Sequence, residues 1–369
     1  MAYNADLGAP GAVNSAGDRT ALMLKVFAGE VLATFEEANV MKPLHTIRTI
    51  SSGKSAQFIV TGAAHSRYHT PGESLLDPAN LANALGNEAD TTPEVTGDKY
   101  LSKIPHNERV IHIDKLLTSS AFIDDLDAAM SHWDIRSTYA KEIGKELAKQ
   151  FDINTLNTAI ACSRQLDPTV TGGKLGGKVG ETGAVATDAD TLLDAIAAAA
   201  QKLDENDVAE GDRYLILKPA QYWLLINDAA TGGRAHMLNR DFTAGNGDVA
   251  SGTIMQAYGF KIFKSNHIPG VINSVVADSG GRADPGVGGV GTGNAPFGTS
   301  GSEESGYRGD TPATVGISFH QSAIGTVKLL DLSVQSDYLV THQGSILVAR
   351  YAMGHNFLRP EAAVELTTA

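Results

Sequence analysis

The stretch from residue 61 to residue 108 constrains the fold most, because its few apolar residues follow no helical or strand period and prolines recur along it. Strand-like runs flank it, Phe58–Val60 before and Val110–Ile113 after. A structureless segment of this length is unusual inside a compact domain. The pattern predicts a long two-stranded arm that projects outward. An isolated hairpin is marginally stable in water, so the arm needs another subunit to lie on.

A long helix is predicted next, from Ser119 to about Cys162. Acidic residues at 124, 125 and 127 would occupy its first turns, where the helix dipole favours negative charge. Apolar residues then recur at intervals of three or four, which is typical of a helix with one buried face. Gly144 and residues 152–154 are candidate interruptions. The expected length gives this helix the role of a spine.

Shorter elements complete an α+β pattern, in which strands and helices alternate in the second half of the chain. Asp18 and Asp190 are predicted helix caps, and Pro219 is predicted to begin a helix. A Gly-rich loop is expected at 276–313. Strands are predicted at Thr46–Ile50, Gln57–Val60, Arg213–Lys218, Phe260–Lys264, Val315–Phe319, Ser322–Leu330, Asp331–Val334 and Ser345–Tyr351.

Composition narrows the functional class. The chain has 369 residues, 42% of them hydrophobic and 19% charged, which is ordinary for a globular protein with one large or two smaller domains. Its formal net charge of −13 disfavours direct binding to nucleic acid. Cys162 is the only cysteine, so no intrachain disulfide forms, as expected in a reducing cytoplasm. Neither a signal peptide nor a membrane span is predicted.

Three glycine motifs resemble phosphate-binding loops, but each lacks the required context. Gly53-Lys54-Ser55 has Arg48 where the loop needs its first glycine, and a strand pattern follows it instead of a helix. The second, at 172–179, ends in valine where a magnesium-binding hydroxyl is needed, and the third, at 286–291, has no preceding strand. These motifs predict flexible loops, not a nucleotide site.

No catalytic or metal-binding constellation emerges. His65 and His69 have a helical ligand spacing but lie in an extended region, and the acidic group at 124–127 is explained by a helix start. Cys162 has the features of a packing cysteine, and Ser318 and His320 share a strand face without a third partner. We therefore predict no enzyme activity, cofactor or metal.

Seven blocks, in order along the chain, resemble the major capsid proteins of short-tailed phages of the coliphage T-seven type. They are Lys25–Leu32, Arg48–Phe58, Thr70–Leu75, Asp124–Tyr139, Ser322–Leu329, Ala349–His355 and Leu358–Ala363. The resemblance implies an HK-97-like capsid fold. It divides the chain into an N-terminal arm and helix (1–48), an extended loop (49–115), a peripheral domain with the spine helix (116–187 and 315–369) and an axial α/β domain (188–314).

The same resemblance implies a function in self-assembly, with hexamers and pentamers closing into an icosahedral shell around double-stranded DNA. The implied partners are copies of the chain, a scaffolding protein and a portal at one vertex, and the implied location is the virion, assembled in the bacterial host cytoplasm. Segments 76–103 and 276–313 are longer than the family pattern, and deletion of 280–308 should leave assembly intact if that segment is decoration. We expect inter-subunit contacts at Lys54, Arg67, Tyr68, Glu73 and Arg109.

Two other functions remain open on the sequence. One is an encapsulin-like compartment shell, which shares the fold and encloses enzymes. The other is a soluble α/β enzyme that works through His320 or Cys162.

Overall fold

The computed structural model describes residues 21–62, 104–113, 116–126, 135–170, 173–226, 256–268 and 313–368, with the single residues 64, 66, 68, 69, 71, 72 and 307. The helices are α1 (Ala21–Ala38), α2 (Ile135–Ser163), α3 (Ala189–Glu205) and α4 (Pro219–Ile226). The strands are β1 (Thr46–Thr49), β2 (Ser55–Thr61), β3 (His106–His112), β4 (Leu117–Asp124), β5 (Gly177–Val179), β6 (Arg213–Leu217), β7 (Gln256–Ala257), β8 (Phe260–Lys264), β9 (Thr314–His320), β10 (Ile324–Leu339), β11 (Gly344–Phe357) and β12 (Ala363–Thr367).

These strands form three sheets. One has the order β1-β10-β11-β4, a second has the order β5-β12-β9-β6-β8-β7, and β2 pairs with β3 alone. The second sheet combines strands from the α/β region with β9 and β12 near the C-terminus. Helix α3 covers this sheet through a buried face that includes Leu192, Ile196 and Leu203.

The spine helix differs from its prediction at its start. Residues from Ser119 to Asp124 belong to strand β4, which pairs antiparallel with β11, and the helix itself begins at Ile135. Asp124 is thus the last residue of a strand, Asp125 and Leu126 are helical, and position 127 lies outside the described residues. Helix α2 still runs for 29 residues, about 43 Å at about 1.5 Å per residue.

Gly144 does not interrupt α2, because it serves a close helix crossing. A Cβ atom at this position would lie 2.9 Å from the carbonyl oxygen of Val31 and 3.0 Å from the Cβ of Thr34, both on α1. The missing side chain therefore lets the two helices approach. Residues 152–154 do not interrupt α2 either, and Asp152 and Asn154 lie within it.

Buried polar groups connect α2 to both large sheets. Asp152 is fully buried and accepts hydrogen bonds from the amides of Val40 (3.0 Å) and Met41 (3.0 Å), and its Oδ2 lies 2.9 Å from Nδ1 of His267. At the end of the helix, Arg164 donates two hydrogen bonds of 2.6 Å to buried Glu365 on β12. These bonds hold the helix against distant parts of the chain.

Other sequence predictions were refined. Asp188, not Asp190, caps α3 by accepting a hydrogen bond from the amide of Thr191 at 2.9 Å. The predicted break between Leu330 and Asp331 is a register irregularity within the single strand β10. The predicted strands at 213–218 and 260–264 and the helix beginning at Pro219 are confirmed. The proposed cap Asp18 lies outside the described residues.

Candidate functional site

The predicted arm begins as a true antiparallel hairpin, because β2 pairs with β3 from Ser55 opposite His112 to Thr61 opposite His106. The segment between these strands is mostly outside the described residues. The described hairpin, which we call the arm root together with the turn before it, does not stand free. One of its faces packs on the same chain, through Ala56 and Ile111 against Val327 and Leu358.

The two faces of the arm root differ in exposure. Ile111 is fully buried on the inner face, whereas Ile59 on the outer face keeps 77% of its surface exposed. Hydrogen bonds fix the root further, since Asn107 donates to the carbonyl oxygen of Thr169 at 2.8 Å and Gly62 donates to that of Pro105 at 2.8 Å. The root is thus positioned rigidly while its outer face remains available for contacts.

Lys54 lies in the turn that enters the arm. Gly53 precedes it with φ of +110°, a conformation that favours glycine, and the Lys54 carbonyl oxygen accepts a 2.8 Å hydrogen bond from the amide of Ile113. The Lys54 side chain is exposed. The glycine-lysine-serine sequence is therefore a turn between two strands, as predicted, and no helix follows it.

Arg109 has a less exposed environment than the sequence indicated. Its guanidinium lies 4.0 Å from the centroid of the Phe357 ring, and its Nε is buried without a hydrogen-bond partner. Burial lowers the pKa of Arg109 from its ordinary value. The neighbouring cation Arg48 was missed by the sequence analysis; it donates to the carbonyl oxygen of Gln57 at 2.7 Å.

The remaining predicted contact residues are spread along the arm. Tyr68 is fully exposed. Arg67 and Glu73 lie outside the described residues, as does His65 of the histidine pair. The structure therefore places Lys54 and Arg109 at the arm root and Tyr68 beyond β2, and the five residues do not form a single pocket.

A second surface, at the far end of the β10–β11 hairpin, was not predicted. Its exposed apolar side chains are Phe122, Leu126, Tyr338 and Val340. The hydroxyl of Tyr338 donates to Asp125 at 2.8 Å, and this hydrogen bond raises the pKa of Tyr338. Phe122 is aligned with Ile346 and Asp337, whereas Tyr338 is aligned with Ser345 and Ile123, so Phe122 and Tyr338 lie on opposite faces of the sheet. The exposed apolar side chains are thus distributed around the end of the hairpin. Period-two alternation along β4 was the available signal.

The candidate nucleophile Cys162 is unsuited to catalysis. It is fully buried, its sulfur lies 3.3 Å from the carbonyl oxygen of Arg359, and burial raises the pKa of its thiol. His320 contacts Ser322 at 2.8 Å, while Ser318 donates to the carbonyl oxygen of Val364. In the described residues, no group of three or more potential ligands gathers around a metal position. Nor does any helix in these ranges have the length and apolarity to cross a membrane.

In the Gly-rich segment 276–313, where residues 307 and 313 are described, Tyr307 is part of the core. Tyr307 is buried, and its hydroxyl accepts a 2.9 Å hydrogen bond from the amide of His355 and donates at 3.2 Å to the carbonyl oxygen of the same residue. Deletion of 280–308 would remove this contact, so the segment is not wholly decoration.

Comparisons with known proteins identify the family to which the chain is similar. The family model described as "Gp10A-like: Major capsid protein" matches residues 90–367. The major capsid protein of Escherichia phage T7 is 33% identical over 362 residues, which cover 95% of this chain and 93% of the relative. That of Enterobacteria phage T3 is 33% identical over 359 residues, covering 95% and 92%.

A comparison with solved structures finds a phage capsid with a similar fold. The capsid structure of the cyanophage P-SCSP1u matches with a TM-score of 0.65 and 30% identity, over 90% of this chain and 88% of that one. The expected HK-97-like α+β fold is confirmed. The chain belongs to the Gp10A-like family of phage major capsid proteins.

Proposed function

We propose that this chain is the shell-forming subunit of a phage head, in which hexamers and pentamers close into an icosahedral shell around double-stranded DNA. The observation that carries the proposal is the 33% identity to a phage major capsid protein over 95% of the chain. The arm adds physical support, because a two-stranded ribbon with an exposed outer face gains stability from a surface supplied by another subunit.

The arm, residues 49–115, is the element that we assign to contacts between neighbours within a capsomer. Lys54, Ile59 and Tyr68 are exposed on the arm. Arg67 and Glu73 belong to the same segment of the sequence. Extended arms supply large contact areas from a small body, and obligate interfaces bury on the order of 2,000–5,000 Å². Many weak contacts per subunit then make a closed shell stable.

The proposed division of the chain into two parts does not coincide with the two large sheets, because the second sheet combines β5, β9 and β12 with β6, β7 and β8 of the axial segment. We assign residues 116–187 and 315–369, which include α2 and the β10–β11 hairpin, to the peripheral part of each capsomer. We assign 188–314 to its axial part, where copies meet around the capsomer centre. Segments 76–103 and 276–313 are proposed as additional contacts or surface features.

The remaining partners are also part of the proposal. A scaffolding protein would guide closure in the host cytoplasm, and a portal would occupy one vertex of the virion. The net charge of −13 is suited to a wall that encloses DNA without sequence-specific binding, because like charges reduce adhesion.

The test is assembly of the purified chain, expressed alone and with its candidate scaffold, followed by negative-stain imaging and sedimentation. Shells, tubes or hexameric rings are expected. A monomer of 38.7 kDa under every condition would contradict the proposal.

A matched pair of deletions sharpens the test. Because Thr61 and His106 are paired, an Asn-Gly turn can replace residues 62–105 and keep the arm root closed. This variant should fold but fail to form shells. Deletion of 280–300, which keeps Tyr307, is the comparison and should assemble if those residues are a surface feature and not a contact. Assembly of the armless variant at the wild-type level would remove the role assigned to the arm.

A further inference from the structure

The β10–β11 hairpin separates two charged surfaces of opposite sign. The two strands remain paired from Ile324 opposite Phe357 at one end to Leu339 opposite Gly344 at the other. Over the 14 residues of β11 this distance is about 45 Å at about 3.3 Å per residue. The arm root lies at the first end. We call the second end, residues 122–126 and 337–346, the ribbon tip.

The ribbon tip is acidic and apolar. Asp124, Asp125 and Asp337 lie on it, and none of them forms a salt bridge within the described part of the chain. Within these two ranges His342 is the only basic side chain. The exposed apolar residues of the ribbon tip are Phe122, Leu126, Tyr338 and Val340, with 44%, 64%, 48% and 69% of their surfaces exposed.

The arm root has the opposite character. Lys54 and Arg109 carry positive charge there, and the guanidinium of Arg48, on β1, reaches the root at Gln57. None of the three forms a salt bridge with a described residue. Glu108, on β3, is the one acidic side chain on the two strands. Arg359, close to Thr61, is offset by Glu361 at 3.8 Å. The root therefore keeps a surplus of cations on a chain whose total charge is strongly negative.

These charges do not interact within one molecule. About 45 Å separates them, which is several times the Debye length of about 8 Å at physiological ionic strength. An acidic chain also repels its own copies unless complementary patches meet. Opposite charges at the two ends of one rigid ribbon suit a head-to-tail contact, and heterologous contacts of this kind close into rings.

We propose that the ribbon tip of one subunit docks on the arm root of another copy of this chain, with the exposed apolar side chains and the carboxylates of the tip both inside the contact. The inference rests on the proposed self-assembly and names two of the surfaces that meet. The apolar side chains exclude water, and the charges select the partner and its orientation. Arg48 and Lys54 are exposed and are the cations that a carboxylate of the incoming tip can reach, whereas Arg109 lies on the inner face of the root over Phe357.

The test is a charge swap between the two surfaces. Asp337→Lys reverses a charge on the tip and Lys54→Glu reverses one on the root; both side chains are exposed. Each single variant should raise the concentration needed for half-maximal assembly about tenfold, because like charges replace opposite ones at every copy of the contact. The double variant should recover most of the loss. Glu37→Lys, an equal charge change on an exposed residue of α1 outside both surfaces, is the control and should assemble as wild type.

The outcomes separate this inference from the proposed function. A wild-type chain that never assembles removes the proposed function and the inference with it. A wild-type chain that assembles, with single variants that assemble equally well, overturns the docking of tip on root alone. The same holds for a double variant that folds, by circular dichroism, but assembles no better than the single variants.

Discussion

His45 and His355 are joined through one hydroxyl group, since Oγ1 of Thr326 lies 2.7 Å from Nε2 of His45 and 2.9 Å from Nδ1 of His355. Nδ1 of His45 lies 2.7 Å from the carbonyl oxygen of Met41, which only accepts, so Nδ1 carries the proton. Nε2 then accepts from Thr326, whose oxygen accepts from Nδ1 of His355. Both imidazoles are neutral in this chain of hydrogen bonds, which connects β10, β11 and the segment before β1.

This arrangement predicts acid sensitivity. Burial lowers the pKa of His45 from 6.5 to about 4, against smaller opposing effects of the Met41 carbonyl and Asp152, and burial together with His45 lowers the pKa of His355 to about 3. Below pH 6.5 the unfolded chain binds protons that the folded chain does not, so stability falls as the pH decreases from 6.5 towards 4. Each imidazole should lower the free energy of unfolding by about 2 kcal/mol between pH 7 and pH 5.

Urea unfolding of the unassembled chain at pH 7, 6 and 5, followed by circular dichroism, measures this loss. The comparison is His45→Asn, which removes one of the two buried imidazoles and should reduce this loss. A free energy of unfolding that is constant between pH 7 and pH 5 would contradict the assignment of two neutral buried imidazoles.

Truncation of the Asp152 side chain should greatly reduce the stability of the folded chain. Asp152→Ala removes the acceptor of the Val40 and Met41 amides and the partner of His267, so buried donors lose their hydrogen bonds. We expect a decrease in the free energy of unfolding of about 3–5 kcal/mol. Chemical denaturation measures it. Glu142→Ala, on the exposed face of the same helix, should change stability by no more than about 0.5 kcal/mol; equal losses in both variants would refute the anchoring role.

Much of this fold was accessible from local sequence patterns, and the exceptions have physical causes. The arm strands, β6, β8 and α4 follow local apolar runs and a proline start. The predicted start of the spine helix was wrong because residues 119–124 belong to β4, whose alternation covers only a few residues, although Asp125 and Leu126 are helical. Asp152 was considered a helix interruption because its partners lie more than a hundred residues away. The ribbon tip depends on the pairing of β4 with β11, which no local pattern encodes.

Substitution of Gly144 by alanine should destabilise the protein, although alanine has a higher helix propensity than glycine. In an isolated helix, alanine is favoured over glycine by about 1 kcal/mol. Here the added methyl group would meet the backbone oxygen of Val31 at 2.9 Å, so Gly144→Ala should instead lower the free energy of unfolding by about 1–3 kcal/mol. Thermal and urea unfolding measure the change. Gly183 is the matched glycine, because among the described residues other than its chain neighbours no heavy atom lies within 4 Å of the point that an added methyl group would occupy, and Gly183→Ala should be close to neutral. Stabilisation by Gly144→Ala would show that α1 and α2 are not in such close contact.

Two isoleucines on opposite faces of the arm root predict separate effects on folding and assembly. Ile111 is fully buried against Val327 and Leu358, so Ile111→Ala should weaken the attachment of the root by about 2–5 kcal/mol. Hydrogen exchange in β2 and β3 should then accelerate in the unassembled chain.

Ile59 is 77% exposed, so Ile59→Ala should leave that exchange unchanged and reduce shell formation, because its surface becomes buried only in the assembly. If Ile59→Ala assembles as wild type, the outer face of the root is not a contact surface. If Ile111→Ala leaves exchange unchanged, the root is held by its hydrogen bonds to Thr169 and not by its apolar face.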